Sequence, residues 1–179
     1  MQDREKTGQE IKKTGFQCRM CGECCSNVSE DSNLVLLSAP EIREIIEATQ
    51  LSWNDIAEPY PETFSENDST FTFAWCLRRN EKNCIFLGPG NRCKIYKHRP
   101  LICRTYPFMI TEDGLTAFEC PGLGEEITKE EALMLSDELI CRKEKEDMEF
   151  NKISNIYENT KMPRNSFCVI DSEGVKKIG

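Results

Sequence analysis

Eleven of the 179 residues are cysteines, and four of them fall within eight positions: Cys18-Arg19-Met20-Cys21-Gly22-Glu23-Cys24-Cys25. Two-residue spacers let successive thiols turn towards one centre, as in the ferredoxin-type runs that ligate iron–sulfur clusters. Zinc sites use the same spacer within each ligand pair. Gly22 lies inside the run, where a chain wrapping an ion needs backbone shapes that other residues resist. The adjacent pair Cys24-Cys25 sets a geometric problem, because neighbouring side chains diverge in extended chain. Without a special bend, one of the two ligates while the other packs, or they serve two centres. Cys84, Cys93, Cys103 and Cys120 are available to complete either arrangement, and eight thiols suit two four-thiolate sites. The expected metal ligands are therefore Cys18, Cys21, Cys24, Cys25, Cys84, Cys93, Cys103 and Cys120. An iron–sulfur cluster of the [4Fe–4S] type is preferred, with zinc as the alternative.

The other three cysteines, Cys76, Cys141 and Cys168, read as inert thiols, since an unligated cysteine packs like a small hydrophobe. A disulfide framework is disfavoured, because the cysteine count is odd and MQDREKTGQEIKKTG has no apolar segment of the secretory type. The expected location is the cytoplasm, where thiols stay reduced.

Charge narrows the partners. From Lys82 to Thr111 there is no Asp or Glu, but there are six cations: Lys82, Arg92, Lys94, Lys97, Arg99 and Arg104. With a net charge of −8 for the whole chain, the remainder holds −14. An acidic chain of this kind is not a nucleic-acid binder, and no apolar run reaches the ~20 residues of a membrane span. The basic stretch carries Cys84, Cys93 and Cys103, so its cations can offset the excess charge of bound thiolates. Arg99 and Arg104 are the expected cofactor-binding residues, because guanidinium donors suit sulfur and carboxylate acceptors. Pairing with acidic residues elsewhere is the competing reading of these side chains.

Catalytic machinery is sparse. His98 is the only histidine, which leaves histidine-dependent triads without material. No phosphate-cradling glycine pattern occurs. Tyr96 and Tyr106 lie near cysteines as possible proton donors, although tyrosines so placed more often pack. No catalytic residue is assigned, and whether the chain is an enzyme stays open.

The elements that must position these residues have local signatures. Ser38 and Glu41 form a capping box with Pro40 in the first turn, followed by Ile42, Ile45 and Ile46 on one helical face. A short helical segment begins near Ser52. Phe71, Phe73 and Trp75 alternate with Thr72, Ala74 and Cys76 as a strand, with Cys84–Leu87 as its expected partner. Residues 110–118 predict a hairpin turning at Asp113-Gly114. Thr128 and Glu131 cap a last helix bearing Ala132, Leu135 and Leu139, after which the tail shows little periodicity.

The Cys18–Cys25 run, followed by Cys84-Ile85-Phe86-Leu87, Cys93-Lys94-Ile95-Tyr96 and Arg99-Pro100-Leu101-Ile102-Cys103-Arg104-Thr105-Tyr106-Pro107, resembles the YkgJ-type cysteine-cluster family. Its defining element is a CxxCxxCC domain described as zinc- or iron-chelating, and the resemblance covers about residues 16–124. A domain of this kind also occurs in flagellin lysine N-methylase, a larger enzyme that uses S-adenosylmethionine and an iron–sulfur centre. The resemblance implies the metal site and raises methyl transfer as one enzymatic alternative; a metal chaperone or adaptor is another.

The expected architecture is a small, loop-rich α+β domain organised by metal–thiolate bonds, with a C-terminal helix. Residues 1–15 read as a disordered lead-in, 16–124 as the cysteine-cluster domain, and 125–179 as the C-terminal helix and tail. The acidic C-terminal helix is the expected docking face for any protein partner.

Overall fold

A computed structural model describes residues 3–26 and 33–178. The fold is mixed α+β with a long C-terminal helix, and the chain divides into two compact units. One takes the described residues up to Cys21 together with Leu101–Glu146; the other takes those of Gly22–Pro100 and Asp147–Gly179.

The first unit opens with helix α1 (Arg4–Thr14), where a disordered lead-in was expected. Asp3 caps it by accepting from the Glu5 and Lys6 amides, and Gly15 ends it at φ 73°. The buried face of α1 is Thr7, Gly8 and Ile11. A Cβ on Gly8 would lie 2.8 Å from Leu133 Cδ2, so the two backbones approach through a missing side chain. Ser136 Oγ donates to the Arg4 carbonyl at 3.0 Å. A helix that packs through small residues has no apolar stripe to announce it. Helix α4 (Leu101–Thr105) and the hairpin of β8 (Phe108–Thr111) with β9 (Gly114–Ala117) follow; Thr111 pairs with Gly114, so the turn residues are Glu112-Asp113, one position before the expected Asp113-Gly114. Ile11, Phe108, Ile110, Ala132 and Leu139 form this unit's core.

Helix α5 (Lys129–Asn159) starts on the expected box, with Thr128 Oγ1 accepting from the Glu131 amide at 3.1 Å. Among its buried residues Arg142 stands out; its guanidinium donates to Thr105 Oγ1 at 3.1 Å and to Glu146 Oε1 at 2.6 Å.

In the second unit, helix α2 (Ala39–Thr49) begins on the Ser38–Glu41 capping box and α3 (Trp53–Ile56) on a second one, Ser52–Asp55. Strand β5 (Trp75–Leu77) is central in a small sheet between β1 (Leu36–Leu37) and β2 (Ala57–Pro59). Its partners are therefore not Cys84–Leu87. The expected strand through Phe71–Cys76 is also interrupted at Phe73-Ala74, and Phe71 belongs to β4 (Ser69–Thr72) in a separate sheet. That sheet runs β11–β10–β4–β3, with β3 (Phe64–Glu66) at one edge and the hairpin of β10 (Phe167–Asp171) and β11 (Gly174–Ile178) at the other. The tail thus ends in strands. Its Val169 and Ile170 are fully buried, so tertiary pairing orders a segment without clear periodicity.

Leu37, Ile42, Ile45, Ile56, Trp75, Leu77, Phe86 and Ile95 share one core, against which Cys84 and Cys93 pack. Trp75 Nε1 donates to buried Asp171 at 2.8 Å, and Lys176 Nζ approaches the same carboxylate at 2.7 Å. Trp75→Phe removes the indole donor and leaves that carboxylate one partner short. The expected loss is about 1–3 kcal/mol in the urea unfolding free energy; a change within a few tenths would show that Lys176 and the Glu173 amide, which donates to the same carboxylate at 2.9 Å, suffice.

Candidate metal centre

All eleven cysteines stand as thiols. The division between units falls inside the cysteine run, after Cys21. Cys18, Cys21, Cys103, Cys120 and Cys141 thus belong to the first unit, and Cys24, Cys25, Cys76, Cys84, Cys93 and Cys168 to the second.

In the second unit, Gly22 adopts the left-handed conformation at φ 77°. A Cβ there would sit 2.7 Å from Asn91 Cβ, so only glycine lets this backbone lie against the 88–92 turn. One turn of 3-10 helix follows over Glu23–Cys25, closed by the Cys25 amide donating to the Gly22 carbonyl at 2.9 Å. This is the bend that the adjacent cysteines need. It brings Cys24 Sγ and Cys25 Sγ to 3.9 Å. Two thiolates on one tetrahedral metal with ~2.3 Å bonds lie about 3.8 Å apart.

Cys84 and Cys93 sit on a tight loop. Leu87 bridges to Cys93, the Gly88 amide donates to the Arg92 carbonyl at 2.8 Å, and the Lys94 amide to the Phe86 carbonyl at 2.9 Å. Two positions beyond each cysteine lies a buried anchor, Phe86 after Cys84 and Ile95 after Cys93. Seated in the core, these anchors turn backbone amides back onto sulfur. Phe86 and Leu87 hydrogen-bond Cys84, and Ile95 hydrogen-bonds Cys93. Such donors favour the thiolate, the form that a metal binds.

The thiols interact electrostatically. Burial pushes the Cys84 and Cys93 thiols up; their mutual charge and that of Cys24 add to the effect on Cys84, and Cys24 adds to that on Cys93. Cys24 is pushed up chiefly by its hydrogen bond with Cys25, then by burial. Arg99 opposes the rise at both Cys24 and Cys93. Its Nε donates to the Tyr96 carbonyl at 3.0 Å, and its guanidinium carbon lies 3.7 Å from the Tyr96 ring centroid. His98 is exposed.

In the first unit, backbone pairing gathers the segments that carry the other candidate ligands. The Gln17 amide, beside Cys18, donates to the Gly122 carbonyl at 3.0 Å, and Phe16 bridges to Leu123. Leu123 in turn donates to the Cys120 carbonyl at 3.1 Å. Tyr106, three residues past Cys103, donates its hydroxyl to the Glu119 carbonyl at 2.5 Å. Arg104 approaches Glu138 at 3.9 Å, while its Nε is buried without a hydrogen-bond partner among the described residues. Among the described residues, no three His, Cys, Asp or Glu side chains stand close enough together to hold an ion.

The bland group separates by environment. Cys76 and Cys168 are fully buried, whereas Cys141 is exposed on α5. Burial pushes the Cys76 thiol up from 9.0 to about 11; Glu58 adds to this and Arg79 opposes it. The fold therefore favours the neutral thiol. Stability from this group is complete below an unfolded value of about 8.5 and is lost as the pH rises towards the folded one. Urea midpoints of metal-free protein should fall between about pH 8.5 and 11, and Cys76→Ala should flatten that fall. An unchanged slope in the variant would remove Cys76 as the cause.

The CxxCxxCC family, described as a "putative zinc- or iron-chelating domain", matches residues 17–135. The chain belongs to this family. The matched stretch takes in all eight candidate ligands and both arginines, and it ends within α5, leaving the β10–β11 hairpin outside. Neither the curated proteins nor the solved structures include a match. The family's chemistry fits the donors present here: paired sulfurs at the separation of a tetrahedral edge, and amides already directed at Cys84 and Cys93. Reasoning from sequence missed those amide donors, although the apolar residue two positions after each cysteine was a readable sign of them. No helix among the described residues is long and apolar enough to cross a membrane.

Proposed function

We propose that the chain holds iron, as an iron–sulfur centre, on thiolates whose nucleus is Cys24, Cys25, Cys84 and Cys93. The observation that carries this reading is the 3.9 Å separation of the Cys24 and Cys25 sulfurs. It suits two ligands of one metal ion. It also bears on cluster type: in a [4Fe–4S] cluster each iron takes one cysteine, whereas a [2Fe–2S] cluster or a single ion takes two. Cys84 and Cys93, which interact electrostatically with Cys24, are the candidates for the remaining two ligands of a [2Fe–2S] arrangement. Cys18, Cys21, Cys103 and Cys120 form a second set for a further centre. The cytoplasm, with its reduced thiols, is the compartment such a site requires.

Zinc is the second reading, supported by the amide donors on Cys84 and Cys93, which suit a closed tetrathiolate site equally well. Protein made and kept anaerobically and assayed for iron, zinc and acid-labile sulfide separates the two. Iron and sulfide in equal amounts support the cluster. Stoichiometric zinc without iron would replace it, and protein free of both metals would overturn chelation altogether.

A further inference from the structure

We propose that the basic turns carrying Cys84 and Cys93 are a docking surface for an acidic electron-carrier protein, which takes one electron from the reduced metal–thiolate centre. The inference rests on the iron–sulfur reading above. The step makes and breaks no bond: the centre is oxidised by one electron and the carrier is reduced by one.

From Lys82 to Pro100 the chain has five cations, Lys82, Arg92, Lys94, Lys97 and Arg99, and no carboxylate. Local structure displays them around the two cysteines. Lys82 lies at the tip of the hairpin of β6 (Arg79–Asn80) and β7 (Asn83–Cys84), which pairs Arg79 with Cys84. Arg92 and Lys94 flank Cys93, which bridges to Leu87. A Cβ on Gly88 would stand 3.2 Å from Lys94 Cγ, so the lysine stem lies along this turn. The 3-10 turn Tyr96–His98 then carries Lys97. Lys82, Arg92, Lys94 and Lys97 are all exposed, and the cysteines they flank are half-buried.

Tyr96 gives the surface an anchor. It is 42% exposed, and its ring centroid lies 3.7 Å from the Arg99 guanidinium carbon. Tyrosine and arginine are among the residue types that carry most of the binding energy at protein interfaces. With Glu23 and Glu81 counted, the segments 22–25 and 81–100 keep three positive charges in excess. The Debye length is about 8 Å at physiological ionic strength. A partner approaching these turns therefore meets the local excess before the net −8 of the chain. A compact acidic surface fits two short turns, and electron-transfer encounters are small interfaces. A nucleic acid or an anionic membrane would extend beyond them onto the acidic remainder and be repelled there.

The test uses the full chain loaded anaerobically with iron and sulfide and reduced with dithionite. Stopped-flow mixing with ferricyanide, a trivalent anion that accepts one electron, reads the charge at the centre. Between ~0.1 and ~0.5 M ionic strength its second-order rate should fall, because salt screens the attraction. Tris(phenanthroline)cobalt(III), a trivalent cation, should show the reverse. Lys94→Gln combined with Lys97→Gln should slow ferricyanide about tenfold at ~0.1 M, with iron content unchanged. Lys94→Arg combined with Lys97→Arg should keep the parent rate. Poly-glutamate should inhibit the ferricyanide reaction of the parent, and that of the double glutamine variant less.

A ferricyanide rate that rises with salt, or one unchanged in the double glutamine variant, would overturn the proposal. Inhibition by phosphatidylserine vesicles or by a short RNA, with none by poly-glutamate, would overturn the choice of a protein partner. A chain that takes up no iron would overturn the iron–sulfur reading itself, and the docking surface with it.

Discussion

Cys24→Ser is expected to abolish metal retention at its centre. A serine hydroxyl cannot replace a thiolate on a soft or borderline metal. Because Cys24 and Cys25 stand at the spacing of two ligands on one ion, Cys25→Ser should have the same consequence. If only one of the pair ligates, one variant will keep its metal, and the outcome identifies which. Cys21→Ser tests the first-unit set and should strip metal from any centre that draws on it. Cys141 provides the contrast, since it is exposed on α5. Cys141→Ser should retain full metal content and change stability by no more than about 0.5 kcal/mol. Metal bound per chain across these variants decides the assignment. Loss in Cys141→Ser with retention in Cys24→Ser would refute it.

Metal removal is expected to loosen the core of the second unit. Cys84 and Cys93 pack directly against the cluster that contains Trp75, with Trp53 at its margin. The two rings meet edge to face at 5.3 Å and are the only tryptophans in the chain. Metal–thiolate bonds contribute about 10–16 kcal/mol of apparent binding free energy in small zinc domains, and that energy is shared with folding. Chelator treatment should therefore shift tryptophan emission to the red and lower the melting temperature of the loaded protein. The core around Ile11, Phe108 and Leu139 contains no cysteine, so α-helical circular dichroism should survive in part. An emission spectrum and melt unaffected by complete metal removal would show that the apolar contacts hold the second unit without the ion.

The donor chemistry was readable from the residues. Three cysteines at two-residue spacing, with an adjacent fourth and four more downstream, in a chain with one histidine, point to thiolate ligation whatever the fold. The helix starts at Ser38 and Thr128 were also legible, as was the hairpin of residues 110–118, although its turn falls at Glu112-Asp113, one residue before the expected pair. Each depends on contacts between residues two to four apart, so their cause lies within a short window of chain.

What only the tertiary structure decided depends on residues far apart in the chain. The order of α1 comes from Thr7, Gly8 and Ile11 meeting α5, more than a hundred residues away, through contacts too small to leave an apolar period. The partners of Trp75–Leu77 were indeterminate, because an alternating strand fits any neighbour of the same period; packing selected Leu36–Leu37 and Ala57–Pro59. The same holds at the cysteines. Spacing left Cys24 and Cys25 either as ligand and packing residue or as ligands of two centres, since adjacent side chains diverge in extended chain. The left-handed turn at Gly22, forced by its close approach to Asn91, instead brings their sulfurs side by side.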